Sequence, residues 1–218
     1  QPQGIRKNVP STWALIGATV TTRPGETIEN ATILIRHDRI EAVGPGLKVP
    51  GDARVINLSG RHIYAGFFDS LTEQSVQEGS SSSAARYWNS QIRPARRVAS
   101  EYNPDPTLNA ALRKQGVTTR LVAPSGGILK GFGAVVLTSD LPVQRAIVRA
   151  DATQHARLTA SRNGTRTYPN SPMGAVALAR QSFYDAQWYG VAWRAAEADQ
   201  RLSRPERNED LAALNDVD

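Results

Sequence analysis

Over residues 13–21, 31–36, 39–43 and 54–58 the chain reads as short apolar-rich runs separated by turn formers. These are Pro24-Gly25, His37-Asp38, and Gly44-Pro45-Gly46 through Pro50-Gly51. Such runs bounded by Gly, Pro and Asp are the signature of strands and hairpins, so this stretch predicts a small all-β unit. Residues 62–68 follow as a nearly continuous apolar run that stops at Asp69, which predicts a parallel strand buried on both faces. Asn103-Pro104-Asp105-Pro106 then breaks the chain. Asp105 is placed to cap a helix with proline in its first turn, and Gly116 supplies the stop, predicting a helix over 107–115. A further apolar strand over 117–123 completes the outline of a βαβ crossover carrying an insertion.

The insertion, near 77–104, opens on Gly/Ser low complexity at 79–83 and continues polar and arginine-bearing, the pattern of an exposed loop. Beyond Pro124, residues 131–138 and 145–150 read as strands or a hairpin excursion. Residues 173–198 carry Met173, Val176, Ala177, Tyr184, Trp188, Val191 and Ala192 at helical spacing, predicting an amphipathic helix. At about 1.5 Å per residue it would run roughly 39 Å, long enough to pack along a barrel or a partner. Its aromatics, Phe183, Tyr184, Trp188, Tyr189 and Trp193, fall on two sides, so core packing accounts for one side and leaves the other for a neighbour. The last stretch, 202–218, is charged and offers no clear structural stop.

Composition narrows the function classes. The 218 residues, 40% apolar, suit one sizeable globular domain or two small ones. With no cysteine, disulfides and thiolate chemistry are excluded. The net charge of +6 comes mostly from scattered arginines, with lysine only at Lys7, Lys48, Lys114 and Lys130, which argues for a solvated surface and against nucleic-acid binding. No apolar run reaches the roughly 18 to 20 residues a membrane helix needs, and residues 1–10 lack a signal-peptide core, so the expectation is a soluble chain with no membrane span.

Three motifs together carry a resemblance: Leu15-Ile16-Gly17-Ala18-Thr19-Val20, Asp38-Arg39-Ile40-Glu41-Ala42-Val43-Gly44, and the strand running into Gly66-Phe67-Phe68-Asp69. Downstream, Leu112-Arg113-Lys114-Gln115-Gly116-Val117-Thr118-Thr119 and Tyr168-Pro169-Asn170-Ser171-Pro172-Met173-Gly174 extend it. In this order the motifs resemble the opening of the amidohydrolase superfamily, close to imidazolonepropionase-like members and to a secreted subgroup. The resemblance implies an α/β fold. Residues 11–62 would be part of a small composite β-sandwich, and 63–218 the first units of a TIM-like (β/α) barrel, incomplete in this chain because a whole barrel takes about 250 residues. It further implies export, to the periplasm or beyond the cell.

In that family the first barrel strand ends Asp-X-His-X-His, with two imidazoles on a divalent metal. Here Asp69-Ser70-Leu71-Thr72-Glu73 stands in its place, so Leu71 and Glu73 occupy the histidine positions. Leucine cannot ligate. Glu73 offers one oxygen, although a lone carboxylate at a strand end is usually a cap or a solvated loop residue. His37, His62 and His155 show no ligand spacing and read as structural or surface residues. The site is therefore degenerate: this chain by itself implies no catalytic residue, no metal ligand and no cofactor, while zinc belongs to the complete family barrel. Asp69, Thr72, Gly126 and Gly127 are the remaining candidate cleft residues, the two glycines sitting in a loop that reads either as a tight turn or as an anion-facing cradle. Three functions stay open at this point. One is a noncatalytic subunit that scaffolds or accompanies an intact amidohydrolase homologue. The second is part of an active hydrolase of C–N bonds in a cyclic amide or peptide, completed by C-terminal sequence or a second chain. The third is a secreted binding module for peptide or glycan.

Overall fold

The computed structural model describes residues 11–75, 85–159 and 168–215. The chain divides into two units, Gln1–Gly66 and Phe67–Asp218. In the first, β1 (Thr12–Arg23), β2 (Glu26–Arg36), β3 (Arg39–Pro45), β4 (Arg54–Asn57) and β5 (His62–Tyr64) form one five-stranded sheet in the order β3-β2-β1-β4, with β5 also on β1. The β1-β2-β3 run is antiparallel, whereas β4 and β5 lie parallel to β1. His37 and Asp38 turn the second hairpin with φ of 49° and 62°, a conformation aspartate tolerates better than most residues. Ala18, Val20, Ala31 and Ile33 form the buried core, with Leu15, Ile28, Val43 and Ile63 among the side chains packed on it.

The second unit is built on a four-stranded sheet, β6-β7-β8-β9. Its parallel pair is β6 (Phe67–Gln74) and β7 (Val117–Pro124), joined through α1 (Val98–Glu101), a single turn, and α2 (Pro106–Lys114). The strands β8 (Leu129–Leu137) and β9 (Ile147–Ala156), separated by the single turn α3 (Val143–Ala146), continue it antiparallel. Helix α2 starts where the sequence places it, because the Asp105 carboxylate accepts the N–H groups of Thr107 at 2.8 Å and Leu108 at 3.1 Å. Helix α4 (Pro172–Ala198) is likewise capped by Ser171, whose Oγ accepts the Gly174 N–H at 3.1 Å. It buries mainly small residues, Ala175, Ala179, Ser182 and Ala186 with Leu178 and Tyr189, and leaves Met173, Val176, Phe183, Tyr184, Trp188 and Val191 exposed.

Three expectations change. The apolar run 62–68 is two strands, not one: β5 closes onto β1 and β6 onto β7, and the run breaks at Ala65-Gly66. Nor is it buried on both faces, for β6 is an edge strand of its sheet and Phe67 and Phe68 are 67% and 52% exposed. The insertion is also not an exposed loop over 85–104, because Tyr87, Ile92, Val98 and Tyr102 are buried there. The rest of it, 77–84, lies outside the described residues. Residues 91–97 run beside the first half of β8, bridging Ile92 to Leu129 and Arg97 to Phe132. Their apolar residues are too sparse and irregular to announce a core, yet backbone bonds to β8 satisfy the polar groups that would otherwise hold the segment in water.

The third change is at the end of the chain, where α5 (Glu209–Asn215) packs on α4. The Asp210 carboxylate is 2% exposed; it accepts the N–H groups of Tyr87 at 3.0 Å and Ala95 at 3.3 Å and lies 3.7 Å from Arg93 Nη1. No helix among the described residues is long and apolar enough to cross a membrane.

Candidate functional site

The end of β6 is shaped by a bulge. Asp69 registers with Arg120 and Thr72 with Val122, so three steps of β6 meet two of β7. The extra residue brings Thr72 to the same side as Asp69, and the Thr72 hydroxyl donates to Asp69 Oδ2. The Leu71 N–H donates to Oδ1 at 3.3 Å, the local turn that aspartate forms two residues ahead of an amide. Arg120 Nε stands 3.6 Å from Oδ2, with 9% of its side chain exposed. The Thr72 hydroxyl above all, then the Leu71 amide and Arg120, hold the Asp69 carboxyl below the usual carboxylate range against the opposing effect of burial.

That direction fixes a pH dependence. A folded-state value below the unfolded one gives stability that is present above the ordinary carboxylate range, about 4, and is lost as pH falls through the folded value. Asp69→Asn should therefore lower the urea midpoint near pH 7, and the gap from wild type should narrow as the pH approaches about 3. A gap independent of pH would show that the Asp69 charge does not stabilise the bulge.

Past the bulge, Glu73 registers with Ala123, and its Oε1 accepts from Lys130 Nζ at 2.5 Å. Lys130 belongs to β8, is 4% exposed, and reaches β6 across the intervening β7. Its hydrogen bond is the main cause holding the Glu73 carboxyl below its ordinary range, with Arg157 and His155 adding weaker attraction. His155, on β9, lies over Gly133, where a Cβ would come within 2.5 Å of Nε2; the same nitrogen is 2.8 Å from Thr153 Oγ1. Burial first and then the Lys130 charge depress the His155 pKa, with Glu73 opposing. Leu71 is 54% exposed.

A cleft of 160 Å³ opens beside these residues, lined by Thr72, Glu73, Gln74, Arg120, Asp105 and Tyr102 among others. Asp69 and Thr72 are thus joined, and Thr72 and Glu73 share the cleft. Gly126 and Gly127 lie outside that lining, in a turn with φ of 73° and 86° that Gln91 and Arg96 hold through Ile128 N–H to Gln91 O at 2.7 Å and Arg96 Nη1 to Ser125 O at 3.1 Å. Sequence reasoning did not find Lys130, Arg120 or His155. The available signal was Lys130 itself, a lysine inside Ile128-Leu129-Lys130-Gly131-Phe132, since a lysine within an apolar run needs a carboxylate partner when buried. His155 gives no such signal, because only the β8-β9 register brings it near.

The donor set does not fit zinc. Leu71 offers no lone pair, the Glu73 carboxylate is bound to an ammonium, and among the described residues no three His, Cys, Asp or Glu side chains are grouped to hold a metal ion.

No protein-family model and no curated protein matches the chain. Among solved structures, the chain is similar to an amidohydrolase from Thermotoga maritima MSB8, with a TM-score of 0.72 and 21% identity over 93% of this chain and 54% of that one. A weaker likeness, TM-score 0.31 and 22% identity over 53% of this chain and 32% of the other, is to the guanine deaminase of E. coli. The first match shows the fold: this α/β chain folds like the part of the Thermotoga protein that it covers. It spans about half the length, 54%, of the Thermotoga protein.

Proposed function

We propose that this chain is a noncatalytic, amidohydrolase-fold protein that scaffolds or accompanies an intact, histidine-bearing homologue. The observation that carries the reading is the Glu73–Lys130 pair at 2.5 Å, a charge-balanced contact at a position where the resembling family places a metal ligand. Leu71 at the other position supports it. The edge strand β6, with Phe67 and Phe68 exposed, and the apolar outer side of α4 support a second polypeptide, or further sequence, as the covering partner. Export to the periplasm or beyond belongs to the same reading and rests on the resemblance alone.

The test is to purify the chain with and without the intact homologue after growth in added zinc. Co-elution as one complex, with no stoichiometric zinc and no hydrolysis of dipeptides or cyclic amides by this chain alone, is the expected result. Zinc at one equivalent together with hydrolysis would overturn it. A second reading is favoured by the partial coverage of the Thermotoga fold: the chain is part of an active metal-dependent hydrolase of C–N bonds, completed by C-terminal sequence or another chain. Adding that sequence would then bring zinc and activity together.

A further inference from the structure

We infer that Lys130 is the resident cation of this site: its ammonium takes the place at Glu73 that a divalent ion would need, so the chain excludes metal by carrying the charge itself. The inference deepens the noncatalytic reading and rests on it. At 2.5 Å from Nζ, Glu73 Oε1 is in direct contact with a positive charge, and any metal seeking that oxygen must first displace it. Displacement is opposed by the fold. Lys130 is 4% exposed, and its neighbours Leu129 and Phe132 are bridged on one side to Ile92 and Arg97 and paired on the other with β9. An ammonium buried this far keeps its carboxylate, because leaving it unpaired in the interior costs more than the pair.

The remaining donor is His155. Its position is set by the β8-β9 register, which pairs it with Gly131, the residue after Lys130, and an imidazole nitrogen is a donor that zinc and cobalt accept. With the ammonium present, a dication approaching Glu73 meets a like charge at contact distance. With the ammonium gone, Glu73 Oε1 loses its bound cation and is open to a dication, for which His155 is the imidazole of the same sheet.

The whole chain, as Lys130→Met and as Lys130→Gln, is titrated with cobalt(II) and with zinc(II), following heat on binding and the imidazole signals. The chain has three histidines, so His37 and His62 serve as internal controls. Loss of one unit charge at contact distance should tighten metal binding by roughly 10- to 1,000-fold, with cobalt broadening the His155 ring alone. Adding Glu73→Gln to either variant should abolish the gain. If neither wild type nor the folded variants bind metal, the role assigned to Lys130 is wrong while the noncatalytic reading stands. If wild type itself takes up one equivalent of zinc with the His155 signals shifted, the role of Lys130 falls whether or not a variant folds, and hydrolysis by that zinc-loaded wild type would bring down the noncatalytic reading as well.

Discussion

Gly131→Ala should destabilise the chain by about 3 kcal/mol or more, read as a loss of urea midpoint. Gly131 has φ of +109°, outside the reach of other residues, and a Cβ there would lie 2.3 Å from Arg96 O and 2.8 Å from Arg96 Cβ. The obstruction is backbone that has no room to yield. Arg96 O accepts the Phe132 N–H at 2.8 Å, so moving it breaks the bond that lays the 91–97 segment against β8. Gly126→Ala is the control. Its φ of +73° lies close to the left-handed region that other residues reach at modest cost, and no atom lies within 4 Å of the added Cβ, so about 1 kcal/mol is expected. Equal losses in the two variants would mean that neither the more extreme φ of Gly131 nor the close approach of Arg96 decides the cost.

Asp210→Ala is expected to cost about 3 kcal/mol, because it strips partners from three groups at once. The Tyr87 and Ala95 N–H groups lose their acceptor, and the Arg93 guanidinium, 12% exposed, loses the carboxylate 3.7 Å away. The damage should be local to 85–97, so amide hydrogen exchange there should rise well ahead of the first unit, whose sheet shares none of these bonds. Asp210→Asn, which keeps the shape and one acceptor oxygen, should recover part of the loss. A change within about 0.5 kcal/mol for the alanine variant would count against the anchoring role.

How far the sequence discloses this protein depends on whether a residue's partners are near in the chain. The β1-β2-β3 hairpins, the Asp105 cap and the βαβ crossover follow from local turn chemistry, and each is present. The extent of α4 was legible as well, but not its buried face: Met173, Val176, Tyr184, Trp188 and Val191, the stripe that suggested the helix, are exposed, and small residues face the core. The break at Ala65-Gly66 was hidden because a uniform apolar run carries no mark of which sheet each half joins. The packing of Tyr87, Ile92, Val98 and Tyr102 was hidden because irregular chain has no period, and its burial is set by β8 and by Asp210, far along the sequence. At the site, Leu71 and Glu73 were legible as residue types. Their electrostatic setting was not, since the bulge that joins Asp69 to Thr72 and the lysine that reaches Glu73 from 57 positions away are tertiary facts.

The bond from the Tyr87 amide to Asp210 spans 123 positions, and this bears on the order in which a newly made chain settles. The first unit has all five of its strands once Tyr64 has left the ribosome. Residues 85–97 wait much longer for their anchor, because the carboxylate that fixes them is synthesised only after the whole of α4. During that interval Ile92 and its neighbours stay available to other apolar surfaces, so a translation pause or truncation between Ala198 and Asp210 should release a chain whose N-terminal sheet is finished and whose second unit lacks its clasp.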